Sequence, residues 1–323
     1  MRQVTSIELD VENGLALPVH PGRLKSCGRH FCVGMKFQED MGFFGRSLVA
    51  SGSFRTSSFR SSCTDESVSR TRAHLSHLST KTLLYAHHGW GKTYQCRFYQ
   101  KRFGKGLIIS GEAGLKSIED TDIDYIPFLS WDGESNEEKG TYSFMQIFKW
   151  LTHPEFLKAQ GYKWIAIDSL TEMSDRLLES LDEKLDGEKN GFKVWGEYAT
   201  QMIGVLKKIR DLPAHVFVTC LAKEEADANG VTQYWPHVKG QAVSKQIPAI
   251  FDHVFCGVRT TEKTDSGHPK VRRMFATDEV NGWHGKSRDP QRRLKAIEEC
   301  DDVTELLAKM SETKEQFEKR KVK

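Results

Sequence analysis

The chain has 323 residues, of which 38% are hydrophobic and 28% charged, and its formal net charge is +3. This composition supplies enough apolar side chains for a core and excludes a fully disordered chain. No stretch approaches the roughly 18 consecutive apolar residues that span a bilayer, and the first ten residues lack the apolar segment of a secretory signal. We therefore expect a cytoplasmic protein with no membrane partner.

Seven cysteines are scattered along the chain, an odd and dispersed set typical of reduced thiols in a cytosolic protein. Cys27 and Cys32 form the closest pair, with His30 between them. A zinc site needs four ligands at suitable spacing, and no second pair follows. Ordinary loop cysteines are therefore favoured over a metal site.

The chain divides by composition into four segments. Residues 1–44 show little periodicity and receive no assignment. Residues 45–80 contain eleven Ser, four Thr and five Arg, which predicts a disordered linker because few apolar groups offset the entropy of ordering. A basic arm for phosphates and an internal transit-like peptide are the alternatives there. Residues 81–290 form the predicted main domain, and 291–323 a charged helix with a basic tail.

Short apolar runs alternate with amphipathic stretches after residue 81. The predicted strands are Thr82–Tyr85, Gly106–Ser110, Tyr125–Trp131, Trp164–Ile167, His215–Thr219, Val254–Val258 and Val271–Thr277. The predicted helices are Thr93–Phe103, Tyr142–Leu151, Leu170–Leu185, a long helix through Trp195–Ile209, and a last helix within Pro290–Lys323. Such alternation predicts an α/β fold with a mostly parallel sheet covered by helices on both faces.

The segment Ala86–Thr93 (AHHGWGKT) fits the phosphate-loop pattern, with alanine in place of the first glycine. It follows a predicted strand and opens a predicted helix, as phosphate binding at a helix N-terminus requires. As alternatives to nucleotide contact, His87 and His88 could be loop residues without a ligand role, and the Trp90 side chain could pack in the core. The predicted nucleotide contacts are Ala86, His87, His88, Gly89, Trp90, Gly91, Lys92, Thr93 and the adjoining Tyr94.

Polar residues end three further strands of the predicted sheet. Asp168 follows the apolar run 164–167 and predicts, with the Thr93 hydroxyl, a site for Mg²⁺. Glu112 follows the strand Gly106–Ser110 and is a candidate general base for an attacking water, with a solvated loop carboxylate as the alternative. Thr219 ends its strand and is a candidate sensor of the γ-phosphate, or else a core or capping threonine.

These motifs, in this order, resemble RecA-like ATPases. The segments LLYAHHGWGKT, IISGEAGL, WIAIDSLTEM, HVFVTCLAKEE, IPAIFDHVF and HGKSR resemble phage-encoded RecA-like proteins, including Sak-type single-strand annealing ATPases. The resemblance covers about two thirds of the chain and implies a RecA-like P-loop NTPase fold, ATP, Mg²⁺ and a homo-oligomeric ring or filament. It also implies single-stranded DNA and a single-strand binding protein or other replication or recombination factors as partners, in the host cytoplasm.

The resemblance assigns further roles to late residues. Lys286 and Arg288 resemble the paired cations that RecA-like and DnaB-like ATPases insert into a neighbouring subunit's site, with a basic loop as the alternative. The segment 222–246 occupies the position of a mobile DNA-binding loop, whereas a hairpin with a turn at Asn229-Gly230 explains the same residues without DNA. Cys220 stands near the position where many relatives carry His, which leaves nucleic-acid sensing open.

Three functions are compatible with the sequence. The first is an ATPase in phage recombination or single-strand annealing. The second is a non-catalytic binding module switched by nucleotide. The third is a DnaB-like helicase motor. Steady ATP turnover separates the first from the second, and strand displacement on a forked duplex separates the third from the first.

Overall fold

The alternating runs of the sequence form alternating strands and helices in a computed structural model of the protein. The structure describes residues 1–3, 7–10, 15–18, 79–112, 114–136, 139–153, 155–185, 191–263 and 269–321. Its strands are β1 (Arg2–Gln3), β2 (Ile7–Asp10), β3 (Leu15–Pro18), β4 (Lys81–Ala86), β5 (Gly106–Ser110), β6 (Asp124–Ser130), β7 (Tyr142–Ser143), β8 (Trp164–Asp168), β9 (His215–Ala226), β10 (Thr232–Pro236), β11 (His253–Lys263), β12 (Pro269–Ala276), β13 (Glu279–Val280), β14 (Trp283–His284), β15 (Lys286–Ser287) and β16 (Ile297–Glu298).

The helices follow the same order along the chain. They are α1 (Gln95–Phe103), α2 (Phe144–Thr152), α3 (Phe156–Gln160), α4 (Leu170–Leu185), α5 (Gly191–Arg210), α6 (Gln241–Ile250), α7 (Val303–Ser311) and α8 (Lys314–Lys321), with a 3₁₀ turn at Gly114–Ile118. No helix among the described residues is both long and apolar enough to cross a bilayer.

The main sheet has the strand order β1-β6-β5-β8-β9-β4-β11-β12-β16. Each neighbouring pair from β1 to β11 in this order is parallel, and β12 and β16 add antiparallel strands at one side. β4 and β5 follow each other along the chain but are not neighbours in the sheet. β8 and β9 lie between them, with β8 beside β5 and β9 beside β4. The carboxyl ends of β4, β5, β8 and β9 therefore meet at one edge, where ligands of open α/β sheets bind.

The sheet has an apolar core on each face. On β4, Leu83 belongs to a cluster that includes residues of α4, α5 and α6, whereas Leu84 belongs to one that includes residues of α1 and α7. Successive residues of a strand point to opposite faces, so a strand covered on both sides is buried along its whole length and is apolar at most positions. This explains why β4, β5 and β8 are continuous runs of buried residues.

The predicted strands of the main domain are confirmed, some with longer bounds and two ending one residue earlier, and three predictions of helix are partly wrong. The helix expected from Thr93 begins at Gln95. The helix expected from Tyr142 begins only at Phe144, because Ser143 is extended and its hydroxyl accepts a hydrogen bond from Gln146 N at the helix N-terminus. The segment Pro290–Lys323 is not one helix. It contains β16, and α7 begins where Asp302 caps Thr304 N at 2.7 Å.

The segment 1–44 contains three short strands, β1, β2 and β3, that its sequence does not signal. Arg2–Gln3 pairs with β6, and the Arg2 guanidinium lies 3.3 Å from the buried Asp124 carboxylate. The predicted linker, apart from residues 79 and 80, and the Cys27–Cys32 pair lie outside the described residues. Within the described residues the cysteines are free.

Candidate functional site

The loop between β4 and α1 has the backbone shape of an anion cradle. Gly89 and Gly91 adopt φ of 65° and 102°, values that favour glycine over side-chain-bearing residues. The backbone N–H groups of Gly89, Gly91, Lys92 and Thr93 donate to no group among the described residues. Successive unsatisfied N–H groups at the start of a helix bind phosphate oxygens.

Lys92 lies inside this loop and is largely buried. Its Nζ donates to the carbonyl oxygens of Ala86 and His87, each at 3.3 Å. Burial lowers the pKa of Lys92, and the negative charges of Glu112 and Asp168 oppose that shift. The ammonium is thus held among carbonyls and near two carboxylates, ready to exchange the carbonyls for phosphate oxygens.

Asp168 is the buried acid of the site. Its Oδ2 accepts a hydrogen bond from Thr93 Oγ1 at 2.8 Å, and its Oδ1 accepts one from the Thr219 hydroxyl. Burial raises the pKa of Asp168, whereas the two hydroxyl donors lower it. Because Thr219 is fully buried and donates to Asp168, the structure gives it a positioning role, and its contact with a phosphate stays a prediction.

Glu112 lies beside Asp168 because their strands are neighbours. Ser110, the last residue of β5, pairs with Asp168, and Glu112 follows two residues later. The Glu112 carboxylate accepts a hydrogen bond from the Ser169 hydroxyl, and its carbonyl accepts one from Ser110 Oγ at 2.8 Å. This arrangement fixes the carboxylate at the same sheet edge as the phosphate loop.

The pair Thr93 and Asp168 fits a magnesium site. Mg²⁺ bound with a nucleotide takes one or two protein oxygens and completes its shell with phosphate and water. A buried carboxylate hydrogen-bonded to the loop threonine supplies such oxygens. Among the described residues no group of three or more His, Cys, Asp or Glu is placed to hold a metal ion.

The other predicted loop residues occupy different surroundings. Trp90 is buried, and its indole Nε1 donates to Val258 O at 3.0 Å, so its side chain packs beneath the loop. His87 is half-buried, with its Nε2 3.6 Å from Glu224 Oε1, whereas His88 is exposed. Tyr94 is 40% exposed at the start of α1. Nucleotide contact by these four residues stays a prediction.

Lys286 and Arg288 lie far from the phosphate loop of their own chain. Lys286 pairs with Val254 at the amino end of β11, opposite to the edge where the loop lies, and its Nζ donates to Phe251 O at 2.8 Å. Arg288 Nη1 lies 2.8 Å from Asp252 Oδ1. The structure therefore leaves a trans role as the one catalytic role compatible with their position, and that role stays a prediction.

Residues 222–236 of the segment 222–246 form a β-hairpin, as the alternative interpretation of its sequence predicts, and residues 241–246 begin α6. Strands β9 and β10 pair antiparallel, and Gly230 has φ of 76° in the turn between them. The ring of Tyr234 stacks on Trp283 with centroids 4.2 Å apart, and that of Trp235 stacks on His284 at 3.7 Å. The structure contains no nucleic acid, so the DNA role stays a prediction.

Sequence reasoning missed two polar residues of the site. Ser169 positions Glu112, and its place directly after Asp168 at a strand end was an available signal. Arg259 donates from Nη2 to His88 O at 2.7 Å. It follows the predicted strand Val254–Val258, and the rule that parallel strands end at one edge would have placed it beside the loop.

Comparison with known proteins agrees with this geometry. A family model described as an AAA domain matches residues 79–289, which include the loop, Glu112, Asp168 and Thr219. No curated protein matches the chain. The AAA domain is a nucleotide-binding, P-loop ATPase domain. The mixed α/β architecture, with its large sheet and helices, is consistent with a P-loop NTPase-like fold. Because the match covers more than half of the chain, this protein belongs to the AAA domain family.

Proposed function

We propose that this protein binds ATP with Mg²⁺ and hydrolyses the bond between the β- and γ-phosphates. The observation that carries the proposal is the convergence of three parts at one sheet edge. These parts are the unsatisfied N–H groups of the phosphate loop, the buried Lys92 ammonium, and the Asp168 carboxylate bonded to Thr93 at 2.8 Å.

The chain's own residues divide the work of hydrolysis. The loop N–H groups and Lys92 hold the β- and γ-phosphates, and Glu112 orients a water and accepts its proton. The water oxygen bonds to the γ-phosphorus while the bond from that phosphorus to the bridging oxygen breaks. ADP leaves with that electron pair, and the products are ADP and inorganic phosphate. Ser169 keeps the Glu112 carboxylate oriented toward the site.

Thr93 and Asp168 are the residues that would hold the magnesium ion. When bound, Mg²⁺ supplies charge neutralisation for the phosphate oxygens. Thr219 holds the second oxygen of Asp168, so the carboxylate keeps one orientation whether or not nucleotide is bound. Since burial raises the pKa of Asp168, a nearby cation favours its ionised form.

A cavity of about 480 Å³ beside the loop provides space for the nucleoside. It is lined by Gly91 and Tyr94, which precede α1, by Phe98 of α1, and by Arg273 and Asp301. Small-molecule sites combine apolar walls with a few polar groups that orient the ligand. In this proposal the aromatic side chains flank the base, and the charged residues face the sugar and its substituents.

We infer further that the ATPase acts on single-stranded DNA, in recombination or annealing, as a homo-oligomer. The ring stacks of the β9–β10 hairpin support this inference, because aromatic rings beside cations suit unpaired bases. Lys245 Nζ lies 5.5 Å from the Trp235 ring centroid. The order of sequence motifs that resembles RecA-like ATPases also supports it. A nucleotide-switched binding module and a DnaB-like motor are the alternatives.

The proposal is tested by calorimetric titration with ATP and Mg²⁺, followed by turnover with and without single-stranded DNA. Lys92→Ala should lose ATP binding because the phosphates lose their buried cation. Lys101→Ala, an exposed change on α1, the helix that follows the loop, is the matched control. Equal ATP affinity in the wild type and Lys92→Ala would contradict the phosphate site. Binding without turnover under any condition would favour the switched module.

A further inference from the structure

Arg259 reaches the phosphate loop from the neighbouring strand. β11 runs parallel to β4, with Gly257 paired to Ala86, so Arg259 lies two residues beyond the level at which the loop begins. Its guanidinium Nη2 donates to His88 O at 2.7 Å and lies 3.4 Å from where a Cβ on Gly89 would stand. The guanidinium therefore lies on the loop itself.

Among the described residues, no acidic side chain forms an ion pair with Arg259. The contrast with Arg272 on the adjacent strand is clear, since its Nε lies 2.8 Å from Glu262 Oε2 and its Nη1 lies 3.0 Å from Glu299 Oε2. Arginine presents five N–H donors, and one hydrogen bond to a carbonyl leaves its charge uncompensated. The pairing of Arg272 shows that this region of the sheet does offer acidic partners to a cation.

A second uncompensated arginine lies directly opposite the first. Arg259 and Arg273 are register partners on β11 and β12, and Arg273 also has no ion pair among the described residues. Like charges directly opposite each other on a sheet destabilise it. Arg273 lines the cavity next to Gly91 and Tyr94. An anion near the loop would relieve the repulsion between the two arginines.

Two cations donate to carbonyl oxygens of the same loop. Lys92 Nζ donates to Ala86 and His87, and Arg259 Nη2 donates to His88. These cations, one from the loop and one from β11, therefore lie against a loop whose N–H groups at Gly91, Lys92 and Thr93 have no acceptor among the described residues. Such an arrangement in a protein without its ligand is electrostatically unfavourable, and a polyphosphate removes the cost.

We propose that Arg259 contacts the terminal phosphate of the bound nucleotide in cis and stabilises the charge on the transferring phosphoryl group. This proposal rests on the proposed ATPase function. The resemblance to RecA-like ATPases gives the role of the catalytic cation to Lys286 and Arg288 of a neighbouring subunit, whereas this proposal gives it to Arg259 of the same chain. Arg259 keeps its proton throughout: it donates N–H bonds to phosphate oxygens while water attacks the γ-phosphorus and ADP leaves. A cis arginine of this kind is chemically equivalent to one supplied by a partner.

The first test separates contact with the terminal phosphate from support of the loop. Arg259→Ala should weaken binding of ATPγS about tenfold or more, change ADP affinity by less than about threefold, and cut turnover by about 10³-fold. Arg272→Ala, on the neighbouring strand, should change none of these. Arg259→Gln keeps a donor for His88 O but no charge, so it should behave like Arg259→Ala. Full recovery of turnover in Arg259→Gln would overturn the proposal and leave Arg259 as a loop tether.

The second test separates cis from trans action by mixing two inactive variants. Arg259→Ala mixed with Lys92→Ala should stay inactive, because each active site lacks one of the two cations. Recovery of turnover in the mixture, with subunit exchange confirmed, would place Arg259 in a neighbour's site and overturn the cis assignment. If the wild type binds ATP but Arg259→Ala matches it in turnover, this proposal alone fails. If the wild type binds no ATP, the proposed function fails as well.

Discussion

The hydrogen bond from the Thr219 hydroxyl to the buried Asp168 carboxylate can be tested by removing the hydroxyl. Thr219 and Asp168 are both almost fully buried, and the Thr219 hydroxyl donates to Asp168 Oδ1 while Thr93 serves Oδ2 at 2.8 Å. Thr219→Val keeps the shape of the side chain and removes this one donor. The change leaves a buried carboxylate oxygen without its hydroxyl partner.

The expected cost follows from the charge of the acceptor. A hydrogen bond to a charged group contributes about 1.5–3 kcal/mol, so Thr219→Val should lower the free energy of unfolding by about 2 kcal/mol at neutral pH. Because the lost bond favours the ionised carboxylate, the pKa of Asp168 rises further in the variant. The difference from the wild type should therefore shrink as the pH falls and the carboxyl group takes up a proton.

Urea unfolding without nucleotide measures this difference, and Thr82→Val is the matched control. Thr82 lies fully buried on the adjacent strand β4, near the neutral Tyr99 hydroxyl, and its own hydroxyl forms no hydrogen bond within the usual geometric limits among the described residues. With a slope of about 3 kcal/mol/M, Thr219→Val should shift the unfolding midpoint by about 0.7 M. If both variants unfold at the same urea concentration, the Thr219 hydroxyl does not stabilise the Asp168 carboxylate.

Two further predictions concern packing and pH. A Cβ on Gly257 would stand 2.6 Å from the Trp90 ring, so Gly257→Ala should destabilise the protein by about 1–3 kcal/mol and weaken ATP binding. Gly204→Ala, at an exposed position of α5, should do neither. Urea unfolding measures the stability of both variants, and calorimetry measures their ATP binding. Burial lowers the pKa of His253 from 6.5 to about 4, so the folded protein binds fewer protons than the unfolded chain between these values. The free energy of unfolding should fall by about 2 kcal/mol between pH 7 and pH 5 from this residue, and His253→Phe, which can still stack near Phe255, should remove that part of the slope.

Local sequence patterns predicted the elements that carry the site. The strands β4, β5 and β8 are buried on both faces, so their apolar runs identify them without any knowledge of the partner strands. The phosphate loop is equally local, since its glycines, Lys92 and Thr93 lie within eight consecutive residues. Glu112 and Asp168 followed from strand ends alone, because parallel strands bring their carboxyl ends to one edge.

Long-range register accounts for what the sequence could not predict. Arg2–Gln3 forms a strand because it meets the edge of β6, and Ile297–Glu298 because it meets β12. Neither pair of residues has a periodicity of its own. The position of Lys286 at the opposite edge likewise depends on its antiparallel pairing with Val254. Local spacing gives no information about which edge of the sheet such a residue reaches.

The central claim is that the loop, Lys92 and the two carboxylates form one site that hydrolyses ATP. The most direct measurement is single-turnover hydrolysis of Mg²⁺-ATP by Glu112→Gln, with binding measured on the same sample and Glu119→Gln, an exposed change nearby, as control. We expect Glu112→Gln to bind ATP as the wild type does and to lose hydrolysis by about 10²-fold or more, because the geometry is retained while the proton acceptor is removed. Wild-type rates of hydrolysis in Glu112→Gln would contradict the assignment of the general base and, with it, this account of the site.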